Sequence, residues 1–334
     1  MAFMALVPHA LAVNITGAGA SFPFPLYATW ANRYFEDTGR IVNYQSIGSG
    51  GGIAQISRGT VDFGATDAPM TGAELDATGL VQFPVVLGGT VPIVNLPGVA
   101  PGQLRLTGKA LADIFLGKIR KWNDPELQQL NPHLQLPDAN ILVVHRSDGS
   151  GTTYGWTHYL AQVSPEWARR VGVAKAVKWP TGQGGKGNEG VANYVKQLQN
   201  AIGYVEYGYA RQNRLAHVAL QNRAGNFVEP GPDTFTAAAA NADWLAQPGM
   251  GIMLTNQPGQ DAWPITSATF VLLPRQPASA ERARAALDFF AWAIRNGGQL
   301  AHDLHYVPLP QRAIEQVERT WTLIRDKDGK PLWP

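Results

Sequence analysis

The chain has 334 residues, 45% hydrophobic and 16% charged, with 27 Lys and Arg against 25 Asp and Glu and a formal net charge of +2. That length makes two domains the natural expectation, each able to bury a core of its own. No basic run accompanies the slight positive balance, so nothing points to a nucleic-acid partner. The absence of cysteine excludes a disulfide framework, a thiol nucleophile and a thiolate metal site.

Residues 1–11 are apolar, and Ala10-Leu11-Ala12 has the small-x-small form of a signal-peptidase site, although no basic segment precedes it. We read residues 1–12 as the remnant of a signal sequence, with the mature chain starting at about Val13. No cysteine follows to carry a lipid anchor, and no other apolar run is long enough to span a bilayer.

A short strand around Ile15 runs into a small-residue loop, Ala20-Ser21-Phe22. Pro23 and Pro25 stand where a helix can begin. Leu26, Trp30 and Tyr34 follow four apart on one helical face, and Gly39 is a helix stop. A strand over 41–47 leads into a second small-residue loop, 48–52, with a helix from 53. A third strand, around 61–66, ends at Asp67 and a proline. Glu74-Leu75 lies in a short helix, and 81–94 reads as a strand broken by Gly88-Gly89, where the chain leaves the first domain.

Helix 111–116 and a turn at 122–125 precede the apolar run 141–144 and a helix over 154–162. Ser164 and Pro165 form the cap and first position of another helix. Residues 181–190 read as a polar glycine-rich loop, 191–198 as helix, 201–209 as strand, and 234–245 as an alanine-rich helix with Asp233 as a possible cap. A buried-type strand at 270–273 and helices over 280–295 and 311–324 complete the chain. Strands and helices alternate throughout, so the class is α/β.

Several motif-like strings carry no chemistry. Gly182, Gly184 and Gly187 fit GxGxxG but follow no clear strand, and Asn188-Glu189 is polar where a dinucleotide fold packs small apolar residues. No GxSxG elbow or Walker A loop is present. His302 and His305 lie three apart without a third metal ligand beside them. The tryptophans read as packing residues. We expect no cofactor, no metal and no catalytic residue.

One chemistry does repeat. The segment 146–153, Arg-Ser-Asp-Gly-Ser-Gly-Thr-Thr, links strand to helix. Its glycines let backbone N–H groups approach a ligand, Ser150 and Thr152 add hydroxyls, and the helix aims its positive end at the same point. Arg146 offers a fork for an oxyanion, and Asp148 is placed to hold that fork. Taken alone, the segment is equally readable as a helix cap with a surface ion pair. Two further loops, with Ser21 and Ser49, repeat the pattern and make a shared anion site the fuller reading.

The strings GAGASFPFPLYATW, NYQSIGSGGGIAQI, VDFGATDAPM, HRSDGSGTTY, KWPTGQGGKGNEG, AIGYVEYGYA and DAWPITSATF resemble, in order and over nearly the whole chain, the periplasmic phosphate-binding proteins of the phosphate-specific ABC transporter, the PstS family. The resemblance implies a two-domain periplasmic-binding-protein fold, with a ligand cleft between domains and a two-segment hinge near Gly88-Gly89 and 257–259. Domain I would comprise 13–89 plus 257–334, and domain II 90–256. Carried over by position, the phosphate-binding residues are Ser21 (where the family has threonine), Phe22 through its N–H, Ser49, Asp67, Arg146, Ser150, Gly151 and Thr152, with Asp148 as the partner of Arg146. Where some members have a second serine, this chain has Gly50.

The expected partners are inorganic phosphate and the membrane permease subunits, for a periplasmic monomer that itself does no chemistry. Asp67, ionised, would accept the hydrogen bond of a protonated phosphate and meet sulfate as an unpaired acceptor, which disfavours sulfate. Arsenate, protonated like phosphate, stays open as a ligand. A phosphatase-like enzyme is the alternative from another class, with no activated nucleophile to support it.

Overall fold

Two parallel-strand units joined by long antiparallel strands organise the computed structural model, which describes residues 13–240 and 242–334. The expected signal remnant lies outside the described residues. In the first unit, Ile15–Gly19 pairs in parallel with Val42–Ser46 on one side and Phe63–Thr66 on the other. Phe63–Thr66 then pairs antiparallel with Ile265–Pro274. In the second unit, Ala201–Glu206 pairs in parallel with Leu142–Arg146, which pairs in parallel with Gln183–Gly185.

The strand Leu80–Val94 connects the two units, and all 15 of its residues are buried. Residues Leu80 to Gly89 pair with Ile265–Pro274, and Thr90 to Val94 pair with Ala201–Glu206. The glycines at 88 and 89 therefore do not break the strand; they mark where its partner changes. A Cβ on Gly88 would lie 2.9 Å from the Phe22 ring, and one on Gly89 would overlap the Phe235 ring. A strand buried on both faces reads as a near-continuous apolar run, which is how this one is written.

Helices cover both faces. Phe24–Thr38 buries Leu26, Tyr27, Trp30 and Tyr34, and ends at Gly39 with φ 72°. Trp30 adds a hydrogen bond from Nε1 to the carbonyl of Gly297, 3.0 Å away, at the end of the helix Ala280–Asn296. Trp122, Trp156, Trp167, Trp263 and Trp321 are likewise fully buried, in keeping with a packing role. Each large apolar side chain so placed contributes about 1.5–3 kcal/mol.

Some elements differ from the sequence reading. The helix expected from 53 begins at Ser49 and takes three glycines into its first turns. A Cβ at Gly52 would lie 2.5 Å from Gly19 Cα and 2.7 Å from the carbonyl oxygens of Ala18 and Ala65. Close packing on the sheet thus outweighs the roughly 1 kcal/mol that glycine costs a helix. The expected loop at 181–190 contains the strand Gln183–Gly185 and the start of the helix Gly187–Gln197. The strand expected over 201–209 ends at Glu206, whose carboxylate accepts from Gly208 N at 2.9 Å and caps the helix Tyr207–Gln212. Helix Pro232–Ala239 stops short of the expected 245, and Asp233 is not its cap. There Thr234 Oγ1 accepts from Gly231 N at 3.1 Å instead. Among the described residues no helix is long and apolar enough to cross a membrane.

Candidate functional site

Four helices begin at one place between the two units: Phe24–Thr38, Ser49–Ser57, Gly151–Val163 and Gly187–Gln197. The backbone N–H groups of a helix's first turn have no partner within the helix, so such ends attract anions. The close approach depends on small residues. Gly48, at φ 86°, turns the chain into the second helix beside Asp148, where a side chain would overlap the carboxylate. Gly50 N donates to Gly149 O across the cleft at 2.8 Å.

The residues expected at the site come together there, all buried except Asp148, which is partly exposed. Arg146, 3% exposed, ends the strand Leu142–Arg146. Its Nε donates to Asp148 Oδ1 at 2.8 Å and its Nη2 to Asp148 Oδ2 at 2.6 Å, a two-point pairing. Its Nη1 donates to Thr152 Oγ1 at 3.2 Å. Burial raises the Asp148 pKa, but hydrogen bonds and charge from Arg146 outweigh it and hold the carboxyl below its ordinary value. Asp148 therefore stays ionised at neutral pH, and the guanidinium it pairs with is held in one plane.

Ser49 is completely buried, and its Oγ accepts from Asp67 N at 3.1 Å and from Gly151 N at 3.0 Å. With two N–H groups on its oxygen, its own proton is left to donate, to the neighbouring Asp67 carboxylate or to a ligand. Ser150 is the N-cap, accepting from Thr153 N at 3.0 Å, while its N–H donates to Lys175 O at 2.9 Å. Ser150 thus has its hydroxyl proton left to offer, and the Gly151 N–H is already directed at Ser49. Ser21 Oγ accepts from Asn188 N at 3.1 Å and Nδ2 at 2.8 Å, which likewise leaves its proton to donate. Phe22 is buried with its ring edge-on to Tyr306.

Asp67 is 2% exposed. Its Oδ1 accepts from Thr269 Oγ1 at 2.7 Å. Burial raises its pKa to about 7, against the lowering pull of the Thr269 hydrogen bond, the Arg146 charge and the Ser49 hydroxyl. The site thus combines a fixed cation, several hydroxyl protons and one carboxyl that gains or loses a proton near neutrality. That set suits a small oxyanion that itself carries a proton.

Two residues were missed from the sequence. Asn188 bridges the units: it donates to Ser21, lies 3.5 Å from Thr152 Oγ1 through Nδ2, and accepts from Glu206 N at 2.8 Å. Thr269 supports Asp67 from the long strand Ile265–Pro274. The polar Asn188-Glu189 pair inside a glycine-rich segment was the signal for the first. For Thr269 there was none beyond a hydroxyl in an otherwise apolar strand. Among the described residues no group of three or more His, Asp or Glu could hold a metal ion.

Residues 7–296 match the family model for the PBP superfamily domain. The chain is 57% identical over 323 residues to the phosphate-binding protein PstS of Pasteurella multocida, covering 96% of this chain and 94% of the relative. It is 56% identical over 315 residues to the protein of that name from Haemophilus influenzae, covering 94% of each. Its fold is similar to the crystal structure of a phosphate binding protein from Stenotrophomonas maltophilia, with a TM-score of 0.72 at 19% identity, over 92% of this chain and 93% of the other.

Proposed function

Because this chain belongs to the family of the phosphate-binding protein PstS, we propose that it binds inorganic phosphate in the periplasm and delivers it to the membrane permease of an ABC-type importer. The observation that carries this reading is the meeting, in one buried place, of Arg146, the Ser21, Ser49, Ser150 and Thr152 hydroxyls, and Asp67. Phe22 completes the set through its N–H, and Gly151 brings the third loop close enough for contact. Asp148 orients the arginine. Arg146 and the hydroxyl protons grip the phosphate oxygens, and Asp67 shares a proton with one of them.

The lobes comprise 13–89 plus 257–334, and 90–256, and they rotate about two crossings. The change of strand partner at Thr90 supports the first crossing. For the return, the pairing of Leu254–Thr255 with Ile265–Pro274 supports a crossing in the neighbourhood of 257–259, a few residues earlier in the chain. Hydrogen bonds that join the lobes at the site, Gly151 to Ser49 and Asn188 to Ser21, belong to the closed form that the permease would receive. The protein acts as a monomer and performs no chemistry on its ligand.

Calorimetric titration of ligand-stripped protein tests the reading at neutral pH. Tight one-to-one phosphate binding with little sulfate heat is expected, and arsenate should compete for the same site. Equal heats from phosphate and sulfate would leave a general oxyanion receptor. No heat from either would remove the reading.

A further inference from the structure

Three consecutive carbonyls in the first loop each receive a tyrosine hydroxyl. Tyr44 donates to Ala20 O at 2.7 Å, Tyr209 to Ser21 O at 2.6 Å and Tyr306 to Phe22 O at 2.7 Å. The donors come from the strand Val42–Ser46, the helix Tyr207–Gln212 and the segment just before Val307–Pro308. Such convergence on adjacent peptides fixes their planes. A peptide is planar and, with no cis bond among the described residues, its N–H points opposite its C=O. The Ala20 carbonyl shares its plane with the Ser21 N–H, and the Ser21 carbonyl with the Phe22 N–H. The Phe22 carbonyl is joined to Pro23, which has no N–H.

Tyr44 lies on the same sheet as the loop and holds it in any lobe arrangement. Tyr209 follows the strand Ala201–Glu206 of the other unit, so its bond to Ser21 crosses the cleft. The Asn188 donors reach Ser21 Oγ from the same side. We propose that Tyr209 is a positioning residue that couples closure to the anion site: its hydroxyl takes the Ser21 carbonyl as the lobes meet and thereby holds the Phe22 N–H on the ligand.

This rests on the phosphate-binding reading and adds the step by which one donor is set in place. The Tyr209 hydroxyl also lies 3.0 Å from Glu189 Oε1, which is 3.4 Å from Ser46 Oγ. The hydroxyl has a single proton to give, and at 2.6 Å against 3.0 Å the Ser21 carbonyl is the nearer of its two acceptors. A carbonyl so polarised makes the N–H of its own peptide a better donor to an anion.

The test uses the full chain, ligand-stripped, with inorganic phosphate as probe, and compares wild type, Tyr209→Phe and Glu189→Gln. Stopped-flow binding is expected to show phosphate release about tenfold faster in Tyr209→Phe, with association changed by less than about twofold. The downfield shift of the Phe22 amide proton on phosphate saturation, read by NMR, should shrink in the same variant. Tyr209→Phe keeps the ring and its packing, and thermal melts of the free protein should match wild type.

Glu189→Gln should leave both release and amide shift as they are, and it reports on the hydroxyl's acceptor whatever the stability of the first variant. Wild type that binds phosphate, with Tyr209→Phe matching it in release rate and Phe22 shift, would overturn the positioning role alone. So would a Glu189→Gln variant that reproduces the Tyr209→Phe behaviour, since the hydroxyl would then act on Glu189. Wild type that takes up no phosphate would overturn the binding reading and this step with it.

Discussion

Asp148 grips Arg146 at two points, Oδ1 on Nε at 2.8 Å and Oδ2 on Nη2 at 2.6 Å, so the guanidinium meets the cleft already oriented. The side chains are 1% and 12% exposed, so the pair sits where screening is weak. Removing the cation leaves the Asp148 carboxylate, largely shielded and held by the Gly187 N–H at 3.1 Å, as a negative charge next to an anion site. Arg146→Met should therefore weaken phosphate binding by roughly 100- to 1000-fold, about 3–4 kcal/mol. Asp148→Asn is different. It loses one acceptor for the fork but also removes a repelling charge, and these effects oppose. We expect its affinity to stay within about tenfold of wild type. Titration calorimetry on both variants checks the pair, and equal losses would mean that orientation outweighs charge.

Gly151 is tested by a single methyl group. A Cβ there would lie 2.5 Å from Ser49 Oγ, 2.6 Å from Asp67 Cβ and 2.8 Å from Asp67 Cα, all across the cleft. Within its own helix alanine is favoured over glycine, so the clash is between lobes and not within one. Gly151→Ala should lose at least about 100-fold in phosphate affinity. Its free-state melting temperature should stay within about 3 °C of wild type. Small-angle scattering would show the wild type compacting on phosphate addition and the variant not. A variant that compacts normally would mean that the helix start shifts to admit the methyl.

The two substitutions also separate what the sequence discloses from what it withholds. Arg146, Asp148, Ser150 and Gly151 lie within six positions, where turn chemistry and helix capping are local and legible. Ser21 and Ser49 are legible because each stands in a small-residue loop before a helix, and Asp67 because it ends a strand before a proline; their assignment to a phosphate site came from the family resemblance. Thr269 meets Asp67 from 202 residues away, and Asn188 meets Ser21 from 167. Such pairings follow from strand order, which local propensity does not determine. The glycines of 48–52 misled for a related reason: Gly52 lies against the sheet with no room for a Cβ, while Gly48 and Gly50 face Asp148 and Gly149 across the cleft, and these are tertiary facts. Residues 201–209 misled because Glu206 turns its carboxylate back onto Gly208 N and starts a helix inside an apolar, aromatic run.

Glu206 links the second unit to Tyr306, whose hydroxyl lies 3.0 Å from its Oε2, and burial raises its pKa to about 8. Two backbone N–H groups and the tyrosine hydroxyl pull it back only in part. Unfolded, the group ionises near the ordinary glutamate value; folded, it holds its proton to about pH 8. Between those values the folded state binds more protons, so stability falls as pH rises and levels off above the folded value. Glu206→Gln keeps an acceptor for Gly208 N and a donor for Tyr306 without the titration. Its melting temperature should fall less than that of wild type from pH 5 to pH 9, by an amount equivalent to a few kcal/mol. Parallel curves for the two proteins would show that Glu206 is ionised in the folded state.

Asp67 titrates near pH 7 when folded, and this bears on selectivity directly. On the proposed reading, as a carboxylate it would accept the hydrogen bond of hydrogen phosphate and repel sulfate, which has no proton to give. Once protonated it becomes a donor, and a sulfate oxygen can accept from it. Rejection of sulfate therefore rests on the ionised form and weakens as pH falls through about 7. Sulfate affinity should rise by up to about tenfold per pH unit as pH falls toward that point, one proton being taken up with each ion, and level off below it, where Asp67 is already protonated. Phosphate should change less, because either partner can supply the shared proton. Asp67→Asn offers an N–H at every pH, so its sulfate binding should be nearly independent of pH over 5–8 and stronger than that of wild type at pH 8. Titrations with each anion at pH 5.5, 7 and 8 decide the matter. Sulfate rejection that is as strong at pH 5.5 as at pH 8 would place the filter in the geometry of the hydroxyls and Arg146 and not in the Asp67 proton.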